Sequence, residues 1–278
     1  MTSRFTLSTF GFARRQLIRS LKSPALALPP LVFPLFLFAA FAGGMSGLGA
    51  IPTFGYPDYT AFQFVWVLMV GLAMSGMASG LSLAGDFDTK FDRRMLLATG
   101  DRMPILVGYT LAGLARAIVT GALLFAVGIL AGMEVNGSAL EILGLIGLAL
   151  LFALAIIFWS LGFVFRVQSI QAAPLLQTPV LMLMFALPVY VPRPLLADWV
   201  ESVANVNPLT PILEAGRGLI IGDPVRVPLA FGIAVALVAA LGVWAVTGLL
   251  VAQQPPRVKS SRKARRRSPA PTAPAQPD

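Results

Sequence analysis

The sequence contains no cysteine and no histidine among its 278 residues. Disulfide bonds, thiolate nucleophiles, zinc sites built on these residues and imidazole acid–base catalysis are therefore excluded by composition alone. Charged residues are also scarce, at 12% of the chain against about a quarter in an average soluble domain. A soluble fold of this composition would leave large apolar surfaces in water, so we expect the chain to reside in a membrane.

The chain also lacks the phosphate-binding motif of nucleotide hydrolases. No Gly-x-x-x-x-Gly-Lys-Ser/Thr sequence occurs, and the glycine-rich stretches at 43–49 and 216–222 are not followed by the lysine that a phosphate cradle requires. We therefore expect no catalytic residue, no metal site and no bound cofactor in this chain, and no ATP hydrolysis by the chain alone.

Long apolar segments are what the sequence has in abundance. Hydrophobic residues make up 57% of the chain, and the mean hydropathy is +0.81. A bilayer core of roughly 30 Å requires about 20 apolar residues of helix, and the segments that qualify are 25–44, 60–84, 105–132, 139–164, 172–191 and 227–252. The sequence thus predicts an all-α polytopic membrane protein with six transmembrane helices over 25–252. A signal peptide is the alternative for the first segment, because small residues lie at 39–50.

The basic residues lie almost entirely on one side of this topology. By the positive-inside rule that side is cytoplasmic, so both termini are predicted to be cytoplasmic in a multi-pass protein of the cell (inner or plasma) membrane. This side holds Arg4, Arg14, Arg15, Arg19, Lys22, Lys90, Arg93, Arg94, Arg102, Arg166 and the tail, and the other holds Arg193, Arg217 and Arg226.

The two ends of the chain have distinct characters. Residues 1–24 place Phe5, Phe12 and Leu17 among basic residues, which predicts an amphipathic helix in the cytoplasmic interface; an ordinary positive flank of the first span is the alternative. Residues 253–278 are basic and rich in Pro and Ala. They predict a disordered cytoplasmic tail attracted to anionic lipid headgroups.

The loop at 85–104 predicts a short amphipathic helix over 89–98 on the cytoplasmic side. Thr89 and Asp92 have the spacing of a capping-box variant, and Gly100 and Pro104 supply a stop. Its charged face would offer both signs of charge to a protein partner, unless it is an ordinary surface helix. The candidate coupling residues are Asp88, Thr89, Phe91, Asp92, Arg93 and Arg94.

The segment 192–226, before the last span, predicts two helices that are too short to cross a bilayer, at 195–203 and 209–221. They fit a re-entrant arrangement that dips in from the outer face, and a purely interfacial loop is the alternative. Asn207 is predicted to cap the second helix, with Pro208 at its first position. Glu214 and Arg217 are three residues apart on one face and are predicted to pair.

Arg116 is the one basic residue inside a predicted span. An arginine near the bilayer centre costs at least about 2.5 kcal/mol, so it should face protein or water. Gln168, Gln171 and Gln177 lie at comparable depth and are predicted to accept its hydrogen bonds. Two roles remain open for this polar group: structural, or lining a cavity of the transport pathway.

The chain as a whole resembles the membrane subunits of ABC-2 type ABC transporters, especially six-span permeases of drug and antibiotic export. The most specific motif is Asn207-Pro208-Leu209-Thr210 with Glu214, Arg217 and Gly222 before the last span. Two further similarities are the acidic segment at 86–104 that ends in Pro104, and Gln171 followed by Pro174.

This resemblance implies a permease subunit that exports an amphipathic, drug-like or lipidic substrate. It implies a dimer of such subunits, same or different, with separate ATPase subunits that bind ATP and Mg on the cytoplasmic side. A secondary transporter and a membrane-embedded transferase are the alternatives. The first normally carries acidic or histidine ion relays within its spans, and the second needs a polar cluster at the interface, for which Asp86 and Asp88 form the only close acidic pair.

Overall fold

The computed structural model describes residues 2–22, 28–45, 47, 54–56, 58–89 and 103–252. These residues form helices, turns and loops, with no strand among them. A π-helical turn (Ala39–Gly43) follows the α-helix that ends at Phe38. A 3₁₀ turn at Ile170–Ala172 precedes the α-helix that begins at Ala173, and another at Arg193–Leu195 precedes the one that begins at Asp198. The α-helices are α1 (Thr2–Lys22), α2 (Pro29–Phe38), α3 (Tyr59–Asp88), α4 (Met103–Leu130), α5 (Ala139–Val167), α6 (Ala173–Phe185), α7 (Asp198–Val206), α8 (Thr210–Ile221) and α9 (Val227–Ala252).

Within the described residues, four helices are long and apolar enough to cross a membrane: α3, α4, α5 and α9. The predicted all-α class is therefore confirmed. The first and fifth predicted spans are shorter helices, over Pro29–Gly43 and Ile170–Phe185. At about 1.5 Å per residue they reach roughly 22–24 Å, less than the roughly 30 Å of a bilayer core. The fifth ends early because Pro188 follows it closely, and the residue before a proline disfavours helical backbone.

Local sequence signals determine where the long helices begin and end. The carboxylate of Asp58 accepts backbone N–H groups of the first turn of α3 at 2.8 and 3.0 Å. Ser138 and Glu141 form a reciprocal capping box at the start of α5. At the other end of α5, Gln168 adopts a left-handed conformation that terminates the helix.

The central helix of the bundle is α3, which is buried along nearly its whole length. The helices α2, α4, α5, α6 and α8 contact it. The last helix, α9, packs mainly on α5, and α1 packs on α4. We call the end of the bundle that carries Arg15, Arg19 and Arg166 the basic end. The opposite end, formed by the 131–138 turn, α7 and α8, is called the far end.

Glycines on α3 let α5 approach it closely. A Cβ atom on Gly76 would lie 2.8 Å from the Ile156 side chain, and one on Gly80 would lie 2.9 Å from the backbone oxygen of Ser160. The Ser160 hydroxyl uses this proximity to donate a hydrogen bond to the Gly76 carbonyl at 3.0 Å. Small residues thus join two long apolar helices inside the subunit, as is common in membrane bundles.

Candidate functional site

A buried carboxylate, Asp86 in the last turn of α3, organises the basic end. Its side chain is 2% exposed. It accepts hydrogen bonds from three side chains of α1: Arg15 at 2.9 and 3.0 Å, Arg19 at 2.6 Å and Gln16 at 3.1 Å. The Tyr109 hydroxyl of α4 donates another. Bonding to Asp86 raises the pKa of Arg15 above its usual value, so this guanidinium remains charged.

The burial of Asp86 corrects the interpretation of the 85–104 loop. The predicted second span ends at residue 84, whereas α3 continues through Asp88, and Asp86 therefore faces α1 and α4. The Asp88 carboxylate accepts the backbone N–H of Ile170 at 3.2 Å. Thr89 is the C-cap of α3, and its hydroxyl donates to the Gly85 carbonyl at 3.0 Å. The other candidate coupling residues, Phe91, Asp92, Arg93 and Arg94, lie outside the described residues.

A second part of this polar cluster lies deeper in the bundle, around Arg116 of α4. The guanidinium donates to the hydroxyl of Ser20 on α1 at 2.8 Å and to that of Ser79 on α3 at 2.6 Å. Ser20 in turn donates to the backbone carbonyl of Gln16 at 2.9 Å. The amide oxygen of Gln16 accepts the Ser82 hydroxyl at 2.7 Å. Hydrogen bonds thus connect α1, α3 and α4 from the basic end into the bundle.

The predicted glutamine partners of Arg116 are wrong. Gln168 terminates α5, the exposed Gln171 lies in the 3₁₀ turn before α6, and Gln177 is a half-buried residue of α6. Serines take their place because α1 folds back along α4 and brings Ser20 to the guanidinium. Equal depth in the bilayer does not decide which helices are neighbours.

The helix α1 has two different faces. The face that packs on protein is small or polar and consists of Thr9, Ala13, Gln16 and Ser20, all buried. Its large apolar side chains point the other way: Leu7 and Phe10 are 74% and 70% exposed. The helix is therefore amphipathic in the opposite sense to a soluble surface helix, which buries its apolar stripe.

At the far end, Arg217 of α8 is buried, with 1% of its surface exposed. Its three donor nitrogens bind backbone carbonyls: Nε that of Phe62 at 2.9 Å, Nη1 that of Pro188 at 2.8 Å, and Nη2 that of Val189 at 3.4 Å. The guanidinium carbon also lies 3.4 Å from the centre of the Phe62 ring. One side chain therefore joins α8 to α3 and to the loop after α6.

The predicted pair between Glu214 and Arg217 is wrong. Glu214 forms a bidentate ion pair with Arg193 of the 3₁₀ turn before α7. Arg193 also donates to the side-chain oxygen of Asn205 on α7 at 2.7 Å. Bonding to Glu214 raises the pKa of Arg193. The two side chains are only about one-fifth exposed, at 21% and 20%, and the pair with its Asn205 contact ties the loop after α6 to α7 and α8.

The start of α8 differs from the prediction: the helix begins one residue after the predicted start at 209 and two residues after Pro208, its predicted first position. The helix begins at Thr210 with Pro211 in its first turn, so Pro208 lies outside it. The Asn207 side chain accepts the Leu209 N–H at 3.0 Å and donates to the Leu183 carbonyl at 2.8 Å. Asn207 therefore orders the turn between α7 and α8 and anchors it to α6.

Two cavities accompany these clusters. An apolar cavity of about 360 Å³ lies among α3, α4 and α5, with Leu68, Ile118, Phe125 and Leu145 in its wall. A polar cavity of about 410 Å³ at the far end is lined by the Arg193–Glu214 pair, Arg217 and Tyr56, with Asp223 and Arg226 at the same site. Burial raises the pKa of Tyr56, which keeps its phenol neutral.

Comparison with known families gives a match to the ABC-2 type transporter family over residues 9–221. This match covers more than half of the chain, and the chain belongs to the ABC-2 type transporter family. No curated protein matches the chain significantly. The protein is thus a multi-pass membrane permease of the ABC transporter class, a transport subunit whose family works with an ABC ATPase subunit.

Proposed function

We propose that the chain is the permease subunit of an ABC exporter of the cell membrane, with its basic end and both termini in the cytoplasm. The observation that carries the proposal is the family match over residues 9–221, together with the clustering of basic side chains at the end that carries Arg15, Arg19 and Arg166. Separate ATPase subunits would bind ATP and Mg at this end. They would drive the permease between two states that contact the substrate differently.

The ATPase contact is proposed to include residues 90–102 and the residues on either side of them. Residues 90–102 connect α3 to α4 along the chain, so a force on them acts on two long helices at once. The proposed coupling residues are Asp88, Thr89, Phe91, Asp92, Arg93 and Arg94, as the sequence predicts.

The shorter apolar helices α2 and α6 are proposed to complete a six-span subunit and to face a second permease subunit, identical or homologous. Both expose large apolar side chains, including Phe33 and Phe36 on α2 and Met182 and Phe185 on α6. An apolar surface of this kind suits a partner helix and an amphipathic or lipidic substrate that moves between the subunits.

The far end is proposed to close the exit of this route. Support comes from the buried Arg217, the Glu214–Arg193 pair and the Asn207 turn with Pro208, which hold α7 and α8 over the ends of α3 and α6. Re-entrant placement of α7 and α8 fits their lengths of 9 and 12 residues, which are too short to cross a bilayer.

Charge reversal in the loop tests the coupling proposal. Arg93→Glu with Arg94→Glu is expected to lower the amount of ATPase subunit that co-purifies in mild detergent, or to separate ATP hydrolysis from transport, while membrane insertion is unchanged. Arg265→Glu with Arg266→Glu in the tail is the matched control, because it changes the same charge on the same side. Unchanged assembly and transport in the loop variant would show that coupling does not use these arginines.

The proposed orientation is testable because the chain has no native cysteine. Single cysteines at Ser46 and Glu201 are expected to react with a membrane-impermeant thiol reagent added to intact cells. Cysteines at Thr89 and Ser268 are expected to react only after the membrane is opened. Labelling of Thr89→Cys from outside would reverse the orientation and exclude an ATPase contact at the basic end.

A further inference from the structure

The N-terminal helix is seated on the bundle by close backbone contact. Gly108 of α4 lies under the middle of α1, and a Cβ atom there would lie 2.7 Å from the Cβ of Phe12 and 3.0 Å from the backbone oxygen of Thr9. No side chain larger than hydrogen fits this point without moving α1. The helix is therefore fitted to α4 by shape as well as by charge.

The polar side chains of α1 and α4 at the basic end converge on the carboxylate of Asp86. A carboxylate has about four acceptor positions, and Asp86 accepts five hydrogen bonds, two from Arg15 and one each from Arg19, Gln16 and Tyr109. These donors come from α1 and α4, whereas Asp86 belongs to α3. Removing the negative charge would leave two guanidinium groups together at the same place, where they repel each other.

Asp86 lies at the end of α3, where a contact with α1 and α4 can transmit movement between helices. It lies two residues before the end of α3, close to the residues through which the chain continues to α4. Deeper in the bundle, Arg116 repeats the connection of α1, α3 and α4 through Ser20 and Ser79. Hydrogen bonds of this kind are strengthened where water is excluded.

We propose that these contacts form a latch that makes α1, the end of α3 and the start of α4 one rigid block. When this end of α3 or α4 moves, the block moves with it, and α1 carries its exposed apolar face along. Asp86 is the positioning residue that closes the latch. The consequence for transport rests on the proposed function, but closure of the latch does not.

Closure is measured by thiol labelling of the full-length purified chain. Thr9→Cys is the reporter, because Thr9 is 6% exposed and, among the described residues, its hydroxyl has no hydrogen-bond partner. Its labelling by a maleimide is expected to be slow in the parent. In Asp86→Asn it is expected to rise at least about tenfold, because labelling of a buried thiol follows the population of the open state.

Gly108→Ala is an independent way to open the latch, since it alters no charge and favours helix in α4 itself. It is expected to raise Thr9→Cys labelling to a similar extent. Asp88→Asn, which removes a nearby exposed carboxylate, is expected to leave labelling unchanged. Ala153→Cys on α5, at 0% exposure, reports whether a variant has lost its fold. Parent-like labelling in both Asp86→Asn and Gly108→Ala would overturn the latch.

Transmission is measured in the complex with the ATPase subunits. Asp86→Asn and Gly108→Ala are expected to retain ATP hydrolysis but to reduce transport per ATP at least about tenfold, and Asp86→Glu, which keeps the charge, is expected to recover part of it. One contrary outcome is that Gly108→Ala raises Thr9→Cys labelling while transport per ATP stays at the parent value. That result would contradict the proposal that the latch transmits movement needed for transport. If no ATPase binds the parent chain, the proposed function fails, and the labelling rates still decide the latch.

Discussion

Replacing Arg217 with Met is expected to destabilise the protein more than any other single loss of charge at the far end. The substitution removes the donors to the carbonyls of Phe62, Pro188 and Val189. An unpaired buried acceptor costs about 1–3 kcal/mol, and contact with the Phe62 ring is lost as well. We expect a total loss of at least about 3 kcal/mol, seen as a lower unfolding temperature in detergent and as loss of transport.

Two variants make the Arg217 result specific. Arg193→Met removes a guanidinium of the same size from an ion pair that is about one-fifth exposed and lines the polar cavity, where water can reach Glu214, and it is therefore expected to cost less than Arg217→Met. Arg217→Lys keeps the charge, but one ammonium cannot reach three diverging carbonyls, so it is expected to restore only part of the stability. Equal unfolding temperatures for Arg217→Met and Arg193→Met would contradict the role of Arg217 as the buried anchor of α8.

Gly137→Ala is expected to displace the 131–138 turn from α8. The backbone N–H groups of Asn136 and Gly137 both donate to the Ile220 carbonyl, at 3.0 and 2.9 Å. A Cβ atom on Gly137 would lie 2.1 Å from the backbone oxygen of Leu219, and a backbone atom cannot move aside as a side chain can. We expect a loss of about 1–3 kcal/mol or more, as overpacking gives in a well-packed core.

Gly232→Ala in α9 is the matched control for Gly137→Ala, because a Cβ atom there would meet nothing within 4 Å. It is expected to be neutral or slightly stabilising, since alanine favours helix over glycine by about 1 kcal/mol. Both variants are compared by unfolding temperature and by transport. If Gly137→Ala unfolds at the same temperature as Gly232→Ala, the turn does not hold α8 in place.

Much of the fold follows from short-range signals that the sequence displays directly. The last predicted span, 227–252, has the same bounds as α9, because apolar length alone determines it. Asp58 and the pair Ser138 and Glu141 begin α3 and α5 by bonding to backbone groups a few residues away. Such interactions depend only on neighbours along the chain, and a single sequence therefore reveals them.

The sequence does not reveal which polar side chains bind each other, because the partners lie far apart along the chain. Residues 15 and 16 lie about 70 positions from Asp86, and no periodicity connects them. The one available signal was the repeat of small and polar residues at 9, 13, 16 and 20 on α1, which marks a face that packs on protein. Without the packing of α1 on α4, that face is indistinguishable from a solvated one.

Glu214 and Arg217 separate what the sequence predicts from what the tertiary structure decides. Their spacing of three residues correctly places both on neighbouring positions of a short helix before the last span, and the family motif they belong to was recognisable. Whether they pair depends on what surrounds α8. The loop after α6 brings Arg193 to Glu214 and the backbone carbonyls of Pro188 and Val189 to Arg217, so the two side chains have different partners. Sequence by itself determined the helical class, the four long apolar helices and the family. The tertiary structure decided what the buried charges bind, because those contacts join residues that only folding brings together.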